Sequence, residues 1–324
     1  MQNNMMRSYY FTTTTSLLRA VFNGQHVKDY NARSRLTVAF QNRHIAILPS
    51  QQHPLLPLPP PTVAFDANSV TNTDATAITS PSAVQEAFLQ SHITKVAFIR
   101  HGNTAPSPTG VDYDRSLTEL GRQQSRIAGS SYGVRELFPY YEKGALCSSA
   151  PRCVETAHIF LDASFKTLKD SNKEDRNISM PPLNLQSNMY DGTMQPEGSR
   201  LFRSIGYAPL RSYLENTNED DANAARCVLG GYARLSLDII WEMVLKHDLD
   251  NDKKALLRKH KEGIGTTLLI FSHAIYLPSV ALGCAMAIGC REVDLLLHTN
   301  TKEAEGYIVH VDTQSVSLLN RPKE

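Results

Sequence analysis

A charge imbalance is what this chain most lacks. Across 324 residues, 33 lysines and arginines meet 32 aspartates and glutamates, for a formal net charge of +1. No bulk field draws such a protein to nucleic acid, and no nucleic-acid partner is expected. Cysteine is scarce as well. Cys147, Cys153, Cys227, Cys284 and Cys290 form no C-x-x-C pair and are odd in number. That argues against a disulfide framework and for a reducing compartment, with Cys147 and Cys153 read as small packing residues. The stretch 263–290 has no Lys, Arg, Asp or Glu, which approaches the length of a membrane span. It also carries Ser272-His273, Pro278, Gly283 and Gly289. A buried strand followed by a buried helix, with Pro278 in the first helical turn, explains it better, so no membrane partner is expected.

Acidic side chains are almost missing from the first 50 residues. Arg7, Arg19, Lys28, Arg33, Arg35 and Arg43 stand against Asp29 alone, among the hydroxyls of Thr12 to Ser16. This composition suits a transit peptide for the mitochondrion or another organelle, and equally a disordered cytoplasmic leader. Pro54 to Pro61 favours polyproline conformation, and Thr71 to Ser82 reads as a polar linker. Residues 1–85 are therefore expected to be an extension, and residues 86–324 one catalytic-type domain.

Within 86–324 the pattern alternates. Val96 to Ile99 is an apolar run that reads as a short buried strand. The segment 117–131 reads as a helix capped by Thr118. A second helix starts at Ser149 or Ala150 with Pro151 in its first turn, and a third spans about 224–247, weakened by Gly230-Gly231. Thr266 to Ser272 is another apolar strand, and 307–311 with 316–319 form a late pair. Asn216 to Asn223 reads as a solvated loop, and Lys253 to Lys261 as a basic surface helix face. Alternation of this kind predicts a three-layer α/β sandwich with a mainly parallel central sheet, its ligand site at the strands' carboxyl ends.

Three strand ends carry chemistry, one of them at Cys147-Ser148, where a further strand runs into the second helix. The first delivers Arg100-His101-Gly102, the second Arg152 within Ser148-Ser149-Ala150-Pro151-Arg152, and the third Ser272-His273-Ala274. An imidazole can accept a phosphoryl group when neutral, and guanidinium forks hold phosphate oxygens. Two arginines and two histidines on one pocket suit phosphoryl transfer, where positioning and charge carry most of the catalysis. The histidines have no acidic partner at ligand spacing, so neither a metal nor another cofactor is expected.

With these pieces in order, the chain resembles the histidine phosphatase superfamily, the phosphoglycerate mutase-like fold. The matching residues are Arg100-His101-Gly102, Asp114-Arg115-Ser116-Leu117-Thr118 with Gly121, Ser148-Ser149 with Arg152 and Thr156-Ala157, and Ser272-His273-Ala274. The resemblance implies His101 as nucleophile and Arg100, Arg152 and His273 as phosphate ligands, with Asn103 as a further contact. It implies an acid from the loop after the third strand, where Asp191 is the first candidate and Glu197 the second. Mutases of the family usually carry Glu or Gln after the Arg-His-Gly, whereas this chain has Asn103. That weakens a mutase reading, and the short approach to the Asp114-to-Gly121 segment looks more like the small phosphohistidine-phosphatase branch. The implied activity is metal-independent hydrolysis of a phosphomonoester, or of phosphohistidine, through a phosphohistidine intermediate. Its partner would be a phosphorylated small molecule or phosphoprotein. A mutase and a non-catalytic phosphate-binding protein stand as alternatives. Arg200, Arg203 and Arg211 come after the acid loop, where they could meet extra phosphates or simply face solvent. Oligomeric state is not legible.

Overall fold

The apolar run of the first strand has no polar alternation because both of its faces are covered. In the computed structural model, which describes residues 81–171, 180–190, 196–245 and 265–320, that run is β1 (Ile93–Arg100). Val96 and Phe98 point into one hydrophobic cluster, while Ala97 and Ile99 point into another. A strand buried on both sides reads as a continuous hydrophobic run, as here.

The remaining strands are β2 (Ala145–Ser148), β3 (Leu183–Gln186), β4 (Thr266–Ser272), β5 (Gly306–His310) and β6 (Ser315–Leu319). They form one sheet in the order β3-β2-β4-β1-β5-β6. Neighbours among β3, β2, β4 and β1 are parallel, and β5 and β6 are antiparallel additions at one edge. The expected α/β sandwich with a mainly parallel sheet is what the chain forms.

One face is covered by α2 (Glu119–Ala128), its π-helical continuation Gly129–Leu137, and α3 (Pro151–Ser171). Thr118 caps α2 by accepting from Gly121 N, as its sequence position predicts. The other face is covered by α1 (Pro81–Gln90), α6 (Glu219–Leu245) and α7 (Leu277–Ile288). Three shorter helices, α4 (Pro196–Ile205), α5 (Leu210–Leu214) and α8 (Asp294–His298), complete the described elements. The expected boundary at 85/86 falls inside α1, whose Val84 and Phe88 already belong to the core.

The helix α7 is the charge-free segment read as a buried helix, with Pro278 at its start and Gly289 ending it at φ 92°. No helix among the described residues is long and apolar enough to cross a membrane. One expectation is corrected at α6. Glu219, Asp220 and Asp221 are not loop residues but the first helical turn, because the Asn218 side chain accepts from Asp220 N and Asp221 N. Acidic side chains there also suit the positive end of the helix. Nor do Gly230-Gly231 interrupt it, since Leu229, Tyr232 and Ala233 are buried and tertiary packing outweighs the propensity cost. The transit-peptide and polyproline readings and the Lys253–Lys261 face lie outside the described residues, as does the linker reading up to residue 80; its last two residues, Pro81 and Ser82, belong to α1.

Candidate active site

Strand register assembles the site. Arg100 pairs with Ser272 in the parallel β1–β4 ladder, so His101 and His273, each one residue on, leave adjacent strands side by side. Their rings meet edge to face with centroids 5.4 Å apart. On the other flank of β4, Leu146 and Cys147 pair with Ile270 and Phe271, which brings Ser148 to the same level. The Ser148 hydroxyl lies 2.9 Å from His273 Nε2 and fixes that ring. Pro151 then starts α3, and Arg152 in its first turn is turned inward, only 3% exposed.

His101 is held in one tautomer. Its Nδ1 lies 2.8 Å from the carbonyl oxygen of Gly102. A carbonyl only accepts, so Nδ1 carries the proton and Nε2 keeps its lone pair. Burial, the largest cause, and the cations of Arg152, Arg100 and Arg115 lower the His101 pKa to about 3, against the raising effect of the Gly102 bond. His273 is likewise driven well below the ordinary histidine range, first by burial and then by His101 and the two arginines. Both rings are neutral in the free protein at neutral pH.

The loop after β1 packs tightly on α2 and α3. Gly102 N donates to Thr156 Oγ1 at 3.0 Å, and Thr156 in turn donates to the Arg152 carbonyl at 2.7 Å. A Cβ at Gly102 would lie 2.5 Å from the Gly121 carbonyl oxygen, and one at Gly121 only 2.1 Å from that of Asn103. Glycine at both positions permits this approach. The Asn103 side chain accepts from Thr118 Oγ1 at 2.8 Å. Asn103 thus lines the pocket while its amide oxygen anchors the α2 cap.

The cavity at these strand ends has a volume of about 580 Å3. Arg100, His101, Arg152, His273 and Asn103, all expected from sequence, line it together. Arg100 donates to the Thr301 carbonyl at 2.8 Å, pairs with Glu303 at 3.4 Å, and stacks on the Tyr207 ring at 4.4 Å. The Nε groups of both Arg100 and Arg152 are buried without a hydrogen-bond partner among the described residues. Unsatisfied cationic donors in a concave site are what an anion completes.

The expected acids fare differently. Asp191 lies outside the described residues. Glu197 is exposed in the first turn of α4; its neighbours Gly198 and Ser199 line the cavity, but Glu197 is not part of that lining. A carboxylate that sequence reasoning passed over, Asp112, is inside instead. It accepts from Arg152 Nη2 at 2.7 Å, Tyr190 Oη at 3.0 Å and Arg115 Nη1 at 3.3 Å. Burial raises its pKa, but the Arg152 charge and these hydrogen bonds outweigh that and bring it below the usual carboxylate value. Asp112 precedes the Asp114–Gly121 motif in a short 3-10 turn, with no periodicity to mark it. The Tyr190 ring, edge-on to His273 at 5.4 Å, was missed for the same reason.

Among the described residues no group of three or more His, Cys, Asp or Glu side chains is disposed to hold a metal.

Residues 96–172, which include Arg100, His101 and Arg152, match the family model of the histidine phosphatase superfamily (branch 1). The likeness to that family extends over this segment, less than half of the chain. No curated protein matches the sequence. Among solved structures, the chain is similar to a phosphoserine phosphatase from Entamoeba histolytica in complex with 3-phosphoglyceric acid, at 15% identity, covering 72% of this chain and 98% of that one with a TM-score of 0.39. A mycobacterial glucosyl-3-phosphoglycerate phosphatase in complex with inorganic phosphate is 12% identical over 69% of this chain and 95% of its own, TM-score 0.37. A phosphoglycerate mutase from Bacillus anthracis is 14% identical over 69% and 91%, TM-score 0.34.

Proposed function

We propose that this chain is an enzyme of the histidine phosphatase superfamily, a metal-independent phosphomonoesterase that works through phospho-His101. The observation that carries the reading is the His101 Nδ1–Gly102 bond, which leaves an unprotonated Nε2 beside two arginines in a buried pocket. Arg100 and Arg152 hold the equatorial oxygens, and His273, anchored by Ser148, offers a further polar contact. His101 Nε2 attacks phosphorus, the P–O ester bond breaks, and the departing oxygen takes a proton. Water then attacks the phosphohistidine, the P–N bond breaks, and orthophosphate leaves.

The proton comes from Asp112 in this reading. Asp112 is ionised in the free protein because Arg152 faces it. A phosphate that takes over Arg152 removes that cation and places negative charge next to the carboxyl, and both changes raise its pKa. It is then protonated in time to serve the leaving group, and its carboxylate afterwards accepts the proton from the attacking water. Asp191 and Glu197 are the competing acids, to be distinguished from it by mutation. Asn103 is a lining residue with a secondary role. A mutase would use the same phosphohistidine but return the group to a second hydroxyl.

The test is hydrolysis of an alkyl phosphate by the full-length chain in EDTA, beside His101→Ala. Turnover that persists in EDTA and disappears in the variant is expected. Turnover retained by His101→Ala overturns the reading, and phosphate-dependent isomerisation of the substrate in place of orthophosphate release would favour the mutase. The N-terminal composition supports an organellar address, which localisation of a C-terminally tagged full-length chain tests; a diffuse cytoplasmic signal would contradict it.

A further inference from the structure

The cavity is much larger than a phosphoryl group requires. Its volume of about 580 Å3 falls within the roughly 300–1,000 Å3 of sites that hold whole small molecules. The lining away from His101 comes mostly from α4 and the turn after it, and its character is specific. Phe202 and Tyr207 are 45% and 42% exposed, and they are the two aromatic rings among the exposed large hydrophobic side chains of the described residues. Both line this cavity. Exposed aromatics are costly in water, and two on one concave wall mark a binding surface.

Tyr207 is fixed in place. Its hydroxyl donates to the Thr301 carbonyl, and one ring face rests on the Arg100 guanidinium, 4.4 Å from the ring centroid. Arg100 also donates to Thr301. The aromatic wall is thereby tied to the phosphate-binding arginine.

A cation completes the wall. Four arginines line the cavity, and three are paired: Arg100 with Glu303, Arg115 and Arg152 with Asp112. Arg203 alone makes no ion pair among the described residues. Its sequence companions differ, since Arg200 pairs with Asp221 and Arg211 with Glu215, away from the cavity lining.

We infer that Phe202, Tyr207 and Arg203 form a leaving-group subsite for a phosphomonoester whose alcohol is planar and aromatic and carries a second anionic group. The inference rests on the phosphatase reading for which end of the ligand is the phosphoryl group, but binding tests it separately from turnover. The full-length chain is titrated calorimetrically with propylphosphonate, benzylphosphonate and 4-carboxybenzylphosphonate, which cannot be hydrolysed. The corresponding phosphate esters are assayed in parallel. Benzylphosphonate should bind about tenfold tighter than propylphosphonate, and Phe202→Ala should erase most of that ratio. The carboxylate should add about fivefold, lost in Arg203→Ala. Arg211→Ala, outside the cavity lining, should match wild type in every ratio.

Equal affinity for propyl- and benzylphosphonate overturns the subsite, even if all the esters are hydrolysed. So does an aromatic preference that Phe202→Ala leaves intact. Selective, Phe202-dependent binding without hydrolysis of any ester leaves the subsite standing and sinks the phosphatase reading instead.

Discussion

Arg152 gives both of its terminal nitrogens to Asp112, Nη1 to the backbone carbonyl at 2.6 Å and Nη2 to the carboxylate at 2.7 Å. The buried Arg152 and the carboxylate beside it are therefore one unit. In the proposed reaction an incoming phosphoryl group has to share or replace the carboxylate, and that exchange would couple anion binding to the protonation of Asp112.

Replacement of Arg152 should be severe. Arg152→Ala is expected to lower kcat/KM by about 10²–10³-fold, the scale for losing a preorganised donor to transition-state charge. Arg152→Lys should recover little, because an ammonium cannot hold two acceptors in a planar fork. Steady-state kinetics of both variants check this, and full activity in the lysine variant would mean that charge alone matters.

Asp112→Asn should reveal itself through the leaving group. A general acid contributes about 10²–10⁴-fold where the leaving oxygen is basic, and little where it departs unaided. Alkyl phosphate hydrolysis is expected to collapse while 4-nitrophenyl phosphate hydrolysis changes little. The same comparison in Glu197→Gln and Asp191→Asn should be flat, and a collapse in either would move the role to that residue.

The stability of the fold should fall in acid. His101 titrates at about 3 when folded, against 6.5 unperturbed, and His273 is shifted the same way. A depressed histidine binds fewer protons folded than unfolded, so its contribution is complete above about 6.5 and shrinks as pH falls toward the folded value. His101 alone should lose on the order of 2 kcal/mol between pH 6.5 and 5. Asp112, also depressed, adds a loss only at more acid pH, below its unfolded value of 3.8. Urea midpoints should drop steadily from pH 7 to 5, and the slope should flatten in a His101→Asn, His273→Asn double variant.

Gly121→Ala probes the approach of α2 to the loop after β1. The new methyl would sit 2.1 Å from the Asn103 carbonyl oxygen, and overpacking of this kind costs about 1–3 kcal/mol. A melting temperature lowered by roughly 5 °C is expected, together with reduced activity because the loop carrying His101 is displaced. An unchanged melting temperature would show that the loop yields freely.

Much of this was legible in the sequence because it depends on local signals. Runs such as Val96–Ile99 and Thr267–Phe271 can be seen as strands. Residues just past the ends of parallel strands gather at one edge of the sheet, so Arg100, His101 and His273 could be brought together. The features that escaped depend on distance. Asp112 matters because α3 carries Arg152 to it, and Tyr207 because its ring meets Arg100; neither sits in a periodic or motif position. Arg203 could not be told from Arg200 until Asp221 was seen to pair with the latter. The start of α6 is the exception, for Asn218 ahead of three acidic residues was a cap signal present in the sequence and read as a loop.

The central claim is that His101 becomes phosphorylated during turnover. The full-length chain, mixed with an alkyl phosphate in EDTA and quenched within milliseconds into alkali, where phosphohistidine persists, should carry one phosphoryl group on the peptide containing His101 by mass spectrometry. Asp112→Asn, given 4-nitrophenyl phosphate, should carry it too, and His101→Ala should carry none. Hydrolysis at the wild-type rate with no phosphoryl group trapped on His101, or with the group found on another residue, would contradict the account.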